Sequence, residues 1–155
     1  MRPLVAVVGG SRCTPEEAAA AAAVGRLLAE AGAVILCGGL GGVMEAVARG
    51  AQEAGGGITV GLLPGSDPAE ANAAIEVPLA TGMGEMRNGL IVRAAQAVIA
   101  IGGGVGTLSE IALALRIGTP VVGLHDNFAG AIEIPRVPTP AKAVHWALAR
   151  GIIAS

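Results

Sequence analysis

Ala97-Val98-Ile99-Ala100-Ile101 runs straight into Gly102-Gly103-Gly104-Val105-Gly106 and then Thr107-Leu108-Ser109-Glu110. A short apolar run closed by glycines reads as a buried parallel strand entering a tight loop, and the residues from Thr107 to Ile117 read as the helix that follows. The same order recurs upstream. Leu4-Val5-Ala6-Val7-Val8 is closed by Gly9-Gly10, and Ala33 to Leu36 is followed by Cys37-Gly38-Gly39-Leu40-Gly41-Gly42 before the helical pattern Val43 to Arg49.

The remaining segments keep the alternation. Thr14-Pro15-Glu16-Glu17 combines a Thr N-cap, proline at the first helical position and glutamate three residues after the cap, so a helix is expected from Pro15 to Ala31, ending at Gly32. Ile58 to Leu63 is the third strand, Pro64 to Asn72 a polar loop, Ala74 to Val77 a short fourth strand, and Glu85 to Ala95 a helix. Pro120 to Leu124 is the sixth strand, and Thr139-Pro140 starts a last helix through Arg150. Strands alternating with helices at this rhythm predict one α/β domain over residues 1–155. Its form is a Rossmann-like, doubly wound parallel sheet of about six or seven strands, with ligands bound outside the carboxyl ends of the strands.

Composition narrows the function. With 155 residues there is room for one ordinary domain, and 53% hydrophobic residues, mostly small aliphatics, suit a close-packed α/β core. No stretch approaches the roughly 20 apolar residues of a membrane-spanning helix, and the first strand begins at Leu4 with no secretory leader pattern before it, so a cytoplasmic protein without membrane contact is expected. A formal charge of −2 without a basic run argues against nucleic-acid binding and for a small-molecule ligand. Cys13 and Cys37 have no CxxC or CxxH partners, and no His, Cys or Asp cluster suggests a metal site.

Helix N-termini leave backbone N–H groups unpaired and carry partial positive charge, so a glycine loop that lets a phosphate approach them is an anion site. Two such loops follow the second and fifth strands. Their spacing is neither GxGxxG nor a P-loop with its lysine, which disfavours an ordinary dinucleotide or ATP site. The candidate binding set is Gly10, Ser11, Gly38, Gly39, Gly41, Gly42, Met86, Gly103, Gly104, Val105, Gly106 and Thr107. Glycines also permit tight turns and close helix–sheet packing without any ligand. Arg12, Glu45 and His125 are weaker candidates, and His145 and Trp146 read as packing or dimer contacts.

Cys37 to Met44 resembles the glycine-rich segment of the Lonely Guy family, and Arg87 followed by Gly102 to Glu110 resembles that family's Arg-Lys and PGGxGTxxE motifs at their usual separation. The similarity extends from the first strand to about Leu124. It implies a Rossmann-like homodimer in which the glycine loops and Thr107 hold a 5′-phosphate while Arg87 and Glu110 form the catalytic pair. Members of that family are phosphoribohydrolases that release the base from cytokinin riboside 5′-monophosphates, and many bacterial members accept AMP. The sequence departs from that family at Gly102, in place of the motif's proline, and at Asn88, in place of its lysine, and its shorter chain and triple glycine look more like a sister group that includes molybdenum cofactor carrier proteins.

Two functions therefore stand side by side. One is hydrolysis of the N-glycosidic bond of a nucleoside 5′-monophosphate, which requires no cofactor, with Glu110 stabilising oxocarbenium-like charge or orienting water and Arg87 fixing ribose or phosphate. The other is carriage of the molybdenum cofactor as bound cargo on the same phosphate cradle. Thr107-Leu108-Ser109-Glu110 is also the pattern of a helix capping box, in which Glu110 would only reach back to the cap. With no Tyr, one Phe and one Trp, there is little material for stacking on a base or pterin.

Overall fold

A computed structural model describes residues 1–151 of the chain. Strands β1 (Leu4–Gly9), β2 (Val34–Cys37), β3 (Ile58–Leu63), β4 (Val77–Ala80), β5 (Ala97–Gly102) and β6 (Val121–Asp126) form one six-stranded sheet in the order β4-β3-β2-β1-β5-β6, with every pairing parallel. The expected Rossmann-like doubly wound sheet is present. Helices α1 (Pro15–Glu30), α2 (Val43–Glu53) and α5 (Pro140–Gly151) cover one face, packing on Val5, Val7, Ile35, Ile99 and Ile101. Helices α3 (Arg87–Ala94) and α4 (Val105–Ile117) cover the other face over Ala6, Val8, Leu36, Val98 and Ala100. Burial on both faces is why the β1 and β5 sequences are uninterrupted apolar runs rather than alternating ones.

The alanine-rich α1 with its Gly25, and Gly50 of α2, allow the two helices to approach to backbone contact. A Cβ at Gly25 would overlap the Val47 carbonyl oxygen, and one at Gly50 would overlap the Ala22 carbonyl oxygen. Thr14 caps α1 by accepting the Glu17 N–H at 3.1 Å, as its sequence signals require.

Most element ends fall within one or two residues of the sequence reading, and three differences bear on the sheet edge and the crevice. The fourth strand is Val77–Ala80, not Ala74 to Val77, because Thr59 Oγ1 donates to the Ala74 carbonyl at 3.2 Å and accepts from the Glu76 N–H at 3.0 Å, holding that segment in a turn. It is an edge strand, which tolerates Pro78. The helix expected over Glu85 to Ala95 divides into a 3-10 turn, Gly84–Met86, and α3 from Arg87. Helix α4 begins at Val105 rather than Thr107, with Gly104 as its N-cap. No helix among the described residues is long and apolar enough to cross a membrane.

Candidate functional site

In the sheet order, β1 lies between β2 and β5, and the chain winds outward from it in both directions. The carboxyl ends of these strands open a crevice at that reversal, where open α/β sheets bind ligands. A cavity of about 840 Å³ occupies it. Its walls come from the ends of β1 (Val7 to Gly10, Ser11), β2 (Gly38, Leu40) and β3 (Pro64), from the 3-10 turn (Gly84, Glu85), and from the starts of α2 (Met44), α3 (Arg87, Asn88) and α4 (Gly104 to Thr107, Ser109, Glu110).

The floor of the crevice on the α4 side is built by glycines. Gly102 and Gly103 adopt positive φ, +56° and +103°, turning the chain sharply from β5 into the helix. A Cβ on Gly103 would collide with Thr107, and Asn127 Nδ2 donates to the Gly103 carbonyl at 3.0 Å, fixing the turn from β6. The first intrahelical bond runs from the Leu108 N–H to the Gly104 carbonyl at 3.0 Å, and no side chain caps the helix. The N–H groups of Val105, Gly106 and Thr107 are therefore left without intrahelical acceptors at the edge of the cavity. A Cβ at Gly104 or Gly106 would meet nothing within 4 Å, so this end of α4 faces open space.

The second glycine loop is arranged differently. Gly42, at φ +62°, lies against the loop after β1, and a Cβ there would overlap the Gly10 carbonyl oxygen. That carbonyl accepts the Val43 N–H at 3.0 Å, so the start of α2 is capped from within the protein. Gly39, at φ +78°, packs on Leu63 and Gly61. Of the sequence-derived set, Gly10, Ser11, Gly38, Gly104, Val105, Gly106, Thr107, Arg87 and Glu110 line the main cavity. Gly39, Gly41, Gly42 and Met86 do not line it, and Gly103 lines a smaller adjoining cleft with Arg12, Cys13, Thr14, Glu17 and Asn127.

Two charged side chains are buried in this crevice. Arg87 is 9% exposed and Glu110 is 8% exposed. Arg87 reaches over Gly38, where any Cβ would crowd its guanidinium, and its Nη1 donates to Asn88 Oδ1. Its Nε is the one buried side-chain nitrogen or oxygen without a partner among the described residues. Glu110 sits in the second turn of α4, too far along to reach back to the Gly104 cap, so the capping-box alternative does not occur. The ion pairs within 4.0 Å among the described residues join Arg26 to Glu30, Arg49 to Glu45 and Arg136 to Asp126, and do not include Arg87 or Glu110.

Burial dominates the electrostatics. It pushes the Glu110 carboxyl up to about 7, with the Arg87 charge acting in the opposite direction. Arg87 is lowered from its ordinary range, also by burial first, against the opposing pull of Glu110, Cys37 and Glu85. Burial raises the Cys37 thiol to about 11. The crevice thus joins a set of free backbone donors to a buried carboxyl that changes charge near neutrality.

Some walls of the cavity had no signal in the sequence. Pro64, Glu85 and Ser109 arrive by topology, and only their position just after a strand or at a helix start could have indicated them. Glu45 is turned away into an exposed pair with Arg49, and His125 is exposed at positive φ (+53°) at the end of β6. On α5, His145 is exposed and Trp146 stacks under the Arg150 guanidinium at 3.7 Å.

Residues 2–144 match the model of the SLOG cluster4 family. An uncharacterized protein of Archaeoglobus fulgidus is 42% identical over 149 residues, with 96% of each chain covered. A molybdenum cofactor binding protein from the phototrophic bacterium Rippkaea orientalis superposes with a TM-score of 0.89 at 34% identity, covering 99% of this chain and 98% of that one. The molybdenum cofactor carrier protein of Chlamydomonas reinhardtii gives 0.84 at 29% identity, with both chains fully covered.

Proposed function

The chain belongs to the SLOG cluster4 family, and from that membership and the geometry of its crevice we propose that it binds a phosphate-bearing, pterin-type cargo, the molybdenum cofactor, and carries it without turning it over. The observation that bears this reading is the uncapped start of α4, where Gly104 leaves room for a phosphate against the N–H groups of Val105, Gly106 and Thr107. The volume of about 840 Å³ suits a ligand of pterin or nucleotide size. Val7, Val8, Leu40 and Met44 give the ring system an apolar wall in place of aromatic stacking. Relatives named for binding or carrying the molybdenum cofactor support carriage over the Lonely Guy type of hydrolysis.

The hydrolytic reading keeps one observation in its favour: Arg87 and Glu110 converge on the same cavity as the phosphate cradle. In that reading Arg87 orients the ribose phosphate and Glu110 meets the charge that develops as the base leaves. Incubating the purified protein with AMP, other nucleoside monophosphates and molybdopterin separates the two. Carriage predicts retained, unaltered molybdopterin and intact AMP; release of adenine and ribose 5-phosphate establishes hydrolysis. A homodimer is part of the proposal, formed over the outer face of α3 and α4 where Leu90 and Leu115 are exposed, and light scattering reads it directly.

A further inference from the structure

Glu110 raises a problem that the cradle alone does not solve. A carboxyl 8% exposed, one turn behind a set of anion-binding N–H groups and lining the same cavity, opposes any anion that arrives there while it is charged. No ion pair within 4.0 Å neutralises it among the described residues. We propose that anion binding at the start of α4 is coupled to uptake of one proton by the Glu110 carboxylate, so that cargo is held when Glu110 is neutral and loosened when it ionises. The proton comes from solvent and ends on a carboxylate oxygen, and the ligand is chemically unchanged. This rests on the anion-site reading above.

The groups around Glu110 are consistent with that role. Arg87 at the start of α3 is the charged group whose influence it feels; Cys37 at the end of β2 feels the Glu110 charge in turn, and Glu85 on the preceding 3-10 turn acts on Arg87. Strands β1 and β5 carry no titratable side chain, and Asp126 at the end of β6 is held by Arg136 through contacts of 2.9 and 3.0 Å. Arg87 favours the ionised form, but burial outweighs it and keeps the carboxyl titrating close to neutrality. A second negative charge in the cavity shifts the balance further toward the protonated form.

Sulfate is the probe for the test, because it does not itself titrate between about pH 6 and about 8.5, the range over which a carboxyl near neutrality changes charge. Above the carboxyl's midpoint the wild-type affinity for sulfate is expected to fall, approaching about tenfold per pH unit for one coupled proton. Glu110→Gln should show a flat profile and bind at high pH as tightly as the wild type does at low pH, which separates Glu110 from His125 and His145. Calorimetry of the wild type near neutrality, in two buffers of different ionisation heat, counts the protons without any variant. Sulfate binding with a flat wild-type profile, with an unchanged slope in Glu110→Gln, or with no proton uptake overturns the coupling and leaves the anion site standing. No sulfate binding at any pH overturns the anion site itself and the coupling with it.

Discussion

Replacing Gly104 with valine tests the cradle with little risk to the fold. Gly104 has φ −117° and ψ −149°, outside the left-handed region, and a Cβ there has no neighbour within 4 Å. Valine is a poorer N-cap than glycine, by up to about 1 kcal/mol, but losing a glycine restricts the unfolded chain and returns roughly 0.4–1 kcal/mol. The net change in stability should be within about 1 kcal/mol, a melting shift of only about 2–4 °C for a chain of this size. Gly104 lines the cavity next to Val105, Gly106 and Thr107, so the new side chain is expected to take up space where the phosphate would sit. Losing two or three charge-assisted hydrogen bonds at about 1.5 kcal/mol each removes roughly 3–4.5 kcal/mol, a factor of about 10² to 10³ in Kd. Titration calorimetry with AMP or molybdopterin, alongside a thermal melt, reads both effects. Unchanged affinity in a variant that melts like the wild type would refute the cradle.

Further expectations concern the packing and the buried charges. Gly25→Ala should destabilise by about 2 kcal/mol or more in urea unfolding, although alanine gains about 1 kcal/mol of helix propensity, because its Cβ would overlap the Val47 carbonyl oxygen between α1 and α2. Glu110 takes its proton at about 7 in the fold against an ordinary 4.5, so between those values the folded state keeps a proton that the unfolded chain has released. The Glu110 contribution to stability therefore declines as pH rises through that window, and Glu110→Gln should gain on the wild type above it but not below. An equal stability difference at both ends would contradict this. Of the two thiols, half-buried Cys13 should react with an alkylating reagent in the native protein, while Cys37, fully buried and raised to about 11, should react only on unfolding.

The uniform apolar strands β1 and β5 were legible because burial on both faces leaves no polar position in them, β3 because it is apolar but for Thr59, and α1 because three end signals coincide at Thr14 to Glu17. The fourth strand was displaced because what decides it is Thr59, a residue about fifteen positions upstream that ties Ala74 and Glu76 into a turn. The glycine loops looked alike in sequence, yet one leaves a helix start open and the other is closed by the Gly10 carbonyl. That difference depends on how two loops cross in space, which local spacing does not encode. Glu110 was ambiguous for a related reason. Thr107-Leu108-Ser109-Glu110 has capping-box spacing, but the positive φ of Gly102 and Gly103 starts the helix two residues earlier and carries Glu110 into the second turn, beside Arg87.

The most direct measurement is a crystal structure of the protein grown with molybdopterin or AMP. The phosphate oxygens should lie about 2.7–3.2 Å from the N–H nitrogens of Val105, Gly106 and Thr107, with the ring system toward Met44 and Leu40 and Glu110 alongside. A ligand whose phosphate instead sits at the start of α2, against Gly41 and Gly42, or one found outside the crevice between β1 and β5, would contradict the account.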